Sequence, residues 1–380
     1  SRFGRGRAAA LALTLRSPGR RVLVKPRVVR HRGSQFRRAP LATHLTYLKR
    51  DGVTRDGTGA DMFDAKSDST DERAFAERCS DDRHHFRFIV SPENDAEMAA
   101  LRNFTRELMA DAERDLDTRL DWIAVDHWNT DNPHVHVLVR GRADGQDLVI
   151  SRDYISRGLR TRAEERVTLE LGPRTEQEIH SALNRDVEAE RWTGLDRALR
   201  LAADDGAGVA DLRPRKEQQD PDLRRLMIGR ASKLERLGLA EQVAPGCWSL
   251  KTDFEQTLRE LAVRGDIIKT MHRAMTGTGR DVDVSSFALH GEQPGDAILG
   301  RLVERGLWDE LKASAYAIIE GIDGRTHHVG FAELELTGDA KSGAIVETRS
   351  YEDAKGRQRL SLAVRSDLTL QEQSTARGAT

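Results

Sequence analysis

The chain has 380 residues, which is too long for one ordinary domain and more typical of two or three. It carries 61 lysines and arginines against 62 acidic residues, so its net charge is -1, and 38% apolar residues suffice for hydrophobic cores. Two cysteines exclude a disulfide scaffold and are typical of a reducing, cytoplasmic compartment. No run approaches the roughly 18 apolar residues of a membrane span, so no membrane insertion is expected.

Basic residues are concentrated at the start of the chain. Residues 1–56 contain 15 lysines and arginines but only two acidic residues. This imbalance is typical of phosphate-binding segments, and it predicts a basic flexible arm over residues 1–20. The apolar run at residues 8–15 resembles a short signal peptide, but arginines follow it without a small-residue cleavage site, so we favour the arm. A first strand is expected over residues 21–31.

A helix is predicted over residues 39–50. Leu41, Leu45 and Leu48 recur at helical spacing and form its buried stripe. At 100° per residue, Tyr47 lies about 120° from the centre of that stripe. Its hydroxyl is therefore expected to be available to a ligand.

The next elements predict an antiparallel sheet covered by helices. Residues 86–90 form an apolar strand that ends at Ser91, and residues 95–116 have the apolar periodicity of a long helix. Two further strands are expected at residues 122–125 and 134–140, joined by a tight turn. This order of elements predicts the α+β class.

Three histidines lie where one divalent metal ion could bind them. His134 and His136 leave the same face of their strand, and the turn at residues 129–133 would fold His127 back beside them. A lone His-x-His pair is more often structural, but the third histidine favours a metal site. Three nitrogen ligands with open coordination positions are typical of catalysis, and neutral imidazole suits Mn, Co, Ni, Cu or Zn better than Mg. The adjacent pairs at residues 84–85 and 327–328 point to opposite faces, so we interpret them as structural or DNA-facing.

The remainder of the chain predicts further domains. Helices are expected over residues 153–170 and 176–201, which completes a domain at residues 21–205. Residues 206–280 are interpreted as a linker and a winged-helix-like module, which either contacts DNA or binds a partner protein. Residues 281–380 are rich in short β-prone segments and glycine, which favours a small β-barrel-like module, and the chain could be a fragment.

The histidine block, Tyr47 in a helix after a basic strand, and Ser91 after an apolar strand together resemble the HUH relaxases of the MobP-type mobilization group. The resemblance covers residues 22–171, and less specific runs farther along are similar to a subfamily with a long added carboxy-terminal region. It implies a palm-like antiparallel sheet with the His-x-His strand central. It also implies that Tyr47 nicks one strand at an origin of transfer, which leaves a 5′-phosphotyrosine that can be religated.

The resemblance also implies the ligands and partners. The metal would be Mn²⁺ or Mg²⁺ in function, although Zn, Ni or Co could occupy the site. Single-stranded DNA would be the substrate, with accessory DNA-binding proteins and type IV coupling proteins as partners, and the cytoplasmic protein would be exported with its bound strand. The residues expected to contact DNA are Arg27, Arg30, Arg50, Ser91, Arg140, Arg152 and Tyr154.

Two positions depart from the family pattern. Asn129 stands where many members have Asp, and Arg140 stands where many have Asn. Asn129 can orient an imidazole but adds no charge, so Asp126 or Asp131 is expected to supply the carboxylate that supports a metal-bound histidine. The base that deprotonates Tyr47 stays open.

Two other functions also stay open. A rolling-circle replication initiator or transposase of the same HUH group would favour Tyr154 as the nucleophile. A non-catalytic DNA-binding regulator would need no nucleophile.

Overall fold

The computed structural model describes residues 10–31, 41–51, 58–93, 100–128, 133–214, 220–277, 283–292, 295–309, 311, 314–353 and 355–366, except for the side chains of residues 43, 47, 50 and 51. The chain divides into two compact units. The first comprises Ser1–Gly19 and Pro173–Thr270, and the second comprises Arg20–Gly172 and Met271–Thr380.

The second unit begins with a four-stranded antiparallel sheet in the order β1-β2-β4-β3. The His-x-His strand β4 therefore lies inside the sheet, between β2 and β3. Helices accompany these strands, which confirms the predicted α+β class. The elements are β1 (Val22–Arg30), α1 (Leu41–Asp51), α2 (Glu72–Arg78), β2 (His84–Pro92), α3 (Leu101–Leu116), β3 (Trp122–His127), β4 (His134–Arg140), β5 (Arg142–Ala143), β6 (Gln146–Asp147), a π-helical turn (Tyr154–Gly158) and α4 (Leu159–Leu171).

The two faces of this sheet belong to different hydrophobic clusters. Alternation along β4 sends Val135, Val137 and Val139 to one face, where they pack in a cluster that includes residues of α3 and α4. Leu138 points the other way, as do His134 and His136, and it packs with Leu41, Leu45, Leu48 and residues of α2. We call this second side the histidine face.

The second unit ends with a six-stranded sheet in the order β10-β13-β12-β11-β14-β15. Only the β10–β13 pairing is parallel. The sequence therefore predicted a β-rich module correctly, but within the described residues the sheet order is open and not closed as a barrel would be. The strands are β10 (Phe287–His290), β11 (Leu299–Asp309), β12 (Ser314–Gly321), β13 (Thr326–Phe331), β14 (Ile345–Glu352) and β15 (Gln358–Val364).

The first unit combines helices with a three-stranded sheet in the order β7-β9-β8. Its most buried polar group is an ion pair between Arg230 and Asp196, whose side chains are both fully buried. Arg230 also donates hydrogen bonds to the carbonyls of Val187 and Arg191, so the guanidinium has partners on several sides. The elements are α5 (Glu176–Glu188), α6 (Gly194–Asp205), β7 (Val209–Asp211), α7 (Pro221–Arg236), β8 (Ala240–Ala244), β9 (Cys247–Leu250) and α8 (Phe254–Thr276), the last of which continues into the second unit.

The compact units differ from the predicted domains at both ends of the sheet domain. Residues 10–15 are helical, and Leu11 and Leu15 are buried in the core of the first unit, so this part of the predicted flexible arm is folded. Residues 173–205 also belong to that unit, although the sequence placed them in the sheet domain. Capping boxes at Thr175 and Thr193 start two separate helices where one was predicted.

Candidate metal centre

The β3–β4 hairpin brings the three predicted histidines together. His127 and His134 are directly opposite one another across the two strands, and His136 follows two residues later on the same face. The ring centroids lie 4.6–5.2 Å apart. All three side chains are nearly excluded from solvent, with exposures of 2%, 9% and 3% for His127, His134 and His136.

The three imidazoles fit a shared metal ion. One nitrogen from each ring lies within 4.8 Å of the others. The Nε2 atoms of His134 and His136 are 3.1 Å apart. Two nitrogens bound at 2.0–2.1 Å to one tetrahedral ion would be roughly 3.3 Å apart, so this pair needs little adjustment to hold a metal.

A backbone carbonyl fixes the tautomer of His127. Its Nε2 lies 2.9 Å from the carbonyl oxygen of Leu48. Because a carbonyl only accepts, Nε2 must carry the proton, so Nδ1 is the nitrogen of this tautomer that has a lone pair. Metal-binding histidines commonly donate their second nitrogen to a carbonyl in this way.

Helix α1 packs on the histidine face. Leu41, Leu45 and Leu48 are buried at 4%, 0% and 1% exposure, which confirms the predicted stripe. Tyr47 belongs to this helix and directly precedes the residue that contacts His127. The side chains of Tyr47 and Arg50 lie outside the described residues, so their predicted roles stay predictions.

The carboxylate of Asp126 points away from the histidines. Its neighbour His127 occupies the histidine face, so alternation along β3 sends Asp126 to the opposite one. There it forms an ion pair with Arg102 at 3.0 Å and accepts a hydrogen bond from the indole of Trp128 at 2.9 Å. This placement does not support the expected contact with a metal-binding imidazole. The other two candidates for that role, Asn129 and Asp131, lie outside the described residues.

Ser91 lies on the histidine face at the end of β2. Its hydroxyl donates a hydrogen bond to the carbonyl of Pro133, at 3.0 Å, immediately before His134. This contact joins the end of β2 to the start of the His-x-His strand. The predicted DNA contact of Ser91 stays a prediction.

The arginines predicted to bind DNA have different surroundings. Arg140 forms a bidentate ion pair with Asp82, whose side chain is fully buried, so this arginine stabilises the end of the sheet farthest from His134. Arg27 is exposed and donates to the carbonyl of Leu311 at 2.9 Å. Arg30 and Arg152 are exposed to solvent.

Tyr154 lies on the other side of the sheet from the histidines. It packs against the cluster that includes Val137, and its hydroxyl donates to Asp115 at 2.9 Å. Burial, the hydrogen bond and the negative charge of Asp115 all raise the pKa of Tyr154. The phenol of Tyr154 therefore loses its proton less readily than usual. It is also not positioned to share a reaction site with the histidines.

The sequence did not identify a basic cluster on the histidine face. Arg87 on β2 lies beside Arg27 on β1, and its Nε donates to His85 at 2.9 Å. Burial and the neighbouring charge of Arg27 lower the pKa of Arg87 to about 9. The alternating pattern of β2 places His85 and Arg87 on one face. The pairing of Arg87 with Arg27 on β1 depends on a strand register that periodicity alone does not give.

The second pair of adjacent histidines has no metal-binding arrangement in the described chain. His327 contacts Asp323 and His290, each at 3.0 Å. His328 points to the opposite face of β13, where its ring stacks on Tyr316. This geometry agrees with the expectation that two adjacent histidines on a strand cannot readily bind one metal ion together.

Comparisons with known proteins identify only a family without a function. Residues 227–364, just over a third of the chain, match the family described as "Protein of unknown function (DUF3363)". This segment does not include the three histidines. No curated protein and no solved structure matched the chain. Along the described part of the chain, no helix is both long and apolar enough to span a bilayer.

Proposed function

We propose that this protein is a metal-dependent DNA-nicking transesterase of the HUH relaxase type, acting on single-stranded DNA at an origin of transfer. The observation that carries the proposal is the group of three buried histidine nitrogens on one sheet face, within 4.8 Å of one another. No packing requirement calls for three imidazoles at adjacent buried positions, whereas a catalytic divalent ion does.

The position of helix α1 supports Tyr47 as the nucleophile. The carbonyl that accepts from His127 belongs to Leu48, the residue directly after Tyr47. The backbone at Tyr47 is therefore held beside the candidate metal centre by a short chain of contacts. Tyr154, the competing candidate, lies across the sheet and is bonded to Asp115, so the replication-initiator arrangement is not favoured.

The reaction would be a transesterification at phosphorus. The phenol of Tyr47 loses its proton as its oxygen bonds to the phosphorus, and the bond from phosphorus to the 3′ oxygen breaks. That oxygen takes up one proton and leaves as a hydroxyl, so no proton is gained or lost overall. A divalent ion held by the three histidines would withdraw charge from the phosphoryl oxygens. Because one phosphodiester replaces another, the strand can be resealed without ATP.

The proposal also includes the cellular setting that the sequence resemblance implies. The protein would act in the cytoplasm with accessory DNA-binding proteins, and type IV coupling proteins would direct it and its attached strand to export. The winged-helix-like segment and the carboxy-terminal sheet are candidates for these contacts.

The decisive experiment is detection of a covalent adduct on a denaturing gel. The full chain is mixed with labelled single-stranded DNA from its candidate transfer origin, with Mn²⁺ or Mg²⁺ present. Wild type and Tyr154→Phe should form the adduct, whereas Tyr47→Phe and His136→Ala should not. Loss only in Tyr154→Phe would support the replication-initiator arrangement, and no adduct from any form would leave a DNA-binding regulator as the better proposal.

A further inference from the structure

Basic side chains extend along the histidine face away from the candidate metal centre. Ile89 on β2 is directly opposite His136, and Lys25 on β1 is opposite Ile89. Two residues farther along, Arg27 and Arg87 face one another across the same two strands. At about 3.4 Å per residue, Arg87 lies roughly 7 Å along the strand from Ile89.

In the described part of the chain, the two arginines lack a carboxylate partner. Among the described residues, neither Arg27 nor Arg87 forms an ion pair with a carboxylate. Both instead donate to one carbonyl oxygen, that of Leu311, at 2.9 Å from Arg27 and 3.4 Å from Arg87. Two guanidinium groups that share one neutral oxygen thus have no compensating carboxylate among the described residues. Guanidinium groups bind phosphates in a bidentate manner.

A histidine relay orients Arg87 for this role. The Nε of Arg87 can only donate, so the Nε2 of His85, 2.9 Å away, must accept. The proton of a neutral His85 is then on Nδ1, which donates to the Nε2 of His31 at 2.6 Å. His85 is fully buried, and burial together with the positive charge of Arg87 holds its pKa well below the usual range. A neutral, fixed imidazole therefore holds one edge of the guanidinium and leaves the other edge directed at Leu311.

We infer that Arg27 and Arg87 form a phosphodiester-binding subsite for single-stranded DNA, and that the carbonyl of Leu311 covers this subsite when no DNA is bound. The inference deepens the proposed function, because the same sheet face would carry the scissile phosphate at the histidines and a neighbouring phosphate at the arginines. Leu311 lies between β11 and β12, so the cover comes from the segment that matches the family of unknown function.

The end of β11 is well placed to deliver this cover. Leu307 packs both with its own sheet and with the cluster on the histidine face that includes Leu41, Leu45 and Leu48. Leu307 thus contacts this cluster, and the carbonyl of Leu311 contacts the two arginines. A phosphate that binds Arg27 and Arg87 must replace the Leu311 carbonyl, so DNA binding and displacement of this hairpin are coupled.

The salt dependence of DNA binding tests the arginine subsite. Affinity of the full chain for a fluorescent single-stranded oligonucleotide is measured by anisotropy between 0.05 and 0.3 M NaCl, in a Tyr47→Phe background that prevents covalent trapping. Arg27→Gln and Arg87→Gln should each reduce the slope of log K against log salt by about 0.7, the value for one lost phosphate contact on a single strand. Arg83→Gln is the matched control, because Arg83 is 76% exposed and pairs with Asp147.

A shortened hairpin tests the cover. Residues 310–313 are replaced by Asn-Gly, a two-residue turn suited to joining antiparallel strands. Removing the competing carbonyl should tighten oligonucleotide binding about tenfold, and Arg87→Gln in the same chain should abolish the gain. Unchanged affinity in the shortened chain would overturn the cover, and unchanged slopes in both arginine variants would overturn the subsite.

Each proposal can fail separately. Adduct formation that depends on Tyr47, combined with unchanged salt slopes, would overturn only the arginine subsite. Reduced slopes without any adduct would overturn only the nicking function. If Arg87→Gln does not fold, the exposed Arg27→Gln and the shortened hairpin still decide the question.

Discussion

At the scale of single residues, three imidazoles lie side by side on a packed face, where they are almost excluded from solvent. Burying polar groups is tolerated when they are hydrogen bonded or bind a metal. His127 is hydrogen bonded to the carbonyl of Leu48. The Nε2 atoms of His134 and His136 face each other, and only one of them can carry a proton in the hydrogen bond between them. A bound cation would satisfy both lone pairs at once.

Metal should therefore stabilise the folded protein, and His136→Ala should remove that effect. A metal at about 100 times its dissociation constant stabilises the folded state by about 2.7 kcal/mol, which raises the unfolding midpoint. We expect this rise for wild type with Mn²⁺ or Zn²⁺ and no rise for His136→Ala, as measured by thermal unfolding. His180→Ala is the control, because His180 is exposed on α5. An equal rise in both variants would place the metal elsewhere.

A second residue-scale prediction concerns Asp126. Its carboxylate is buried and paired with Arg102, whose side chain is 20% exposed, and it faces away from the histidines. Asp126→Asn removes the charge that compensates the guanidinium, so the free energy of unfolding should fall by about 2 kcal/mol in urea denaturation. Metal affinity, measured by titration of the folded variant, should stay within about twofold of wild type. A loss of tenfold or more would restore Asp126 to the supporting role that the sequence first suggested.

At the scale of elements, an ordinary apolar stripe packs α1 against the sheet beside the candidate metal centre. Leu45 is fully buried between the helix and the sheet, so Leu45→Ala should cost about 3 kcal/mol of stability. Because the same packing holds the backbone near His127, adduct formation by folded protein should also slow. Thr46→Ala is the matched control, because Thr46 is exposed and its hydroxyl donates a hydrogen bond to the carbonyl of Ala42 within the same helix. Equal adduct rates in the two variants would show that α1 does not position the nucleophile.

Strand β13 supplies a prediction about pH. His328 is 3% exposed, and neither ring nitrogen bonds to another described residue. Burial lowers the pKa of His328 from 6.5 to about 4, so the unfolded chain binds a proton more readily than the folded one. The free energy of unfolding that depends on a neutral His328 is fully present above pH 6.5. It falls by about 3 kcal/mol as the pH decreases to 4. In His328→Phe, the free energy of unfolding measured between pH 7 and 4.5 should decrease less with falling pH than in wild type. An unchanged pH dependence would show that other groups cause it.

Patterns local in sequence predicted much of this fold. The stripe Leu41, Leu45 and Leu48 and the hairpin of His127 with His134 depend on helical and strand periodicity, and both were found where predicted. The helix predicted over residues 153–170 is found at residues 152–171. A π-helical turn at Tyr154–Gly158 lies within it, and the sequence did not predict this local change of hydrogen bonding.

Long-range ion pairs were beyond the sequence. Arg140 resembles a DNA-binding arginine because it ends the His-x-His strand, but the fold brings Asp82 to it from 58 positions away. Asp126 likewise meets Arg102 only because α3 packs on the face of β3 opposite to the histidines. In a chain with 32% charged residues, most carboxylates have several possible partners, so charge patterning cannot select one.

At the scale of the whole molecule, the chain does not divide where its composition changes. The basic amino-terminal residues were expected to form a flexible phosphate-binding arm, yet residues 10–19 group with Pro173–Thr270. Leu15 explains the grouping, because it is 4% exposed and a Cβ on Gly194 would lie 2.3 Å from its side chain. Leu11 and Leu15 thus complete a core whose other buried members begin over 150 positions later.

Leu15 should therefore govern the stability of the first unit and not the binding of DNA by the second. Leu15→Ala should cost about 3 kcal/mol, because it leaves a cavity against Gly194 and Leu195. Hydrogen exchange read by mass spectrometry should show faster exchange in Pro173–Thr270, with β2 and β4 unchanged. Leu13→Ala is the control on the same helical segment, since Leu13 is 76% exposed and its removal should shift stability by less than about 0.5 kcal/mol. If Leu15→Ala left exchange in Pro173–Thr270 unchanged but weakened oligonucleotide binding, the segment would act as the DNA-binding arm that its charge first indicated.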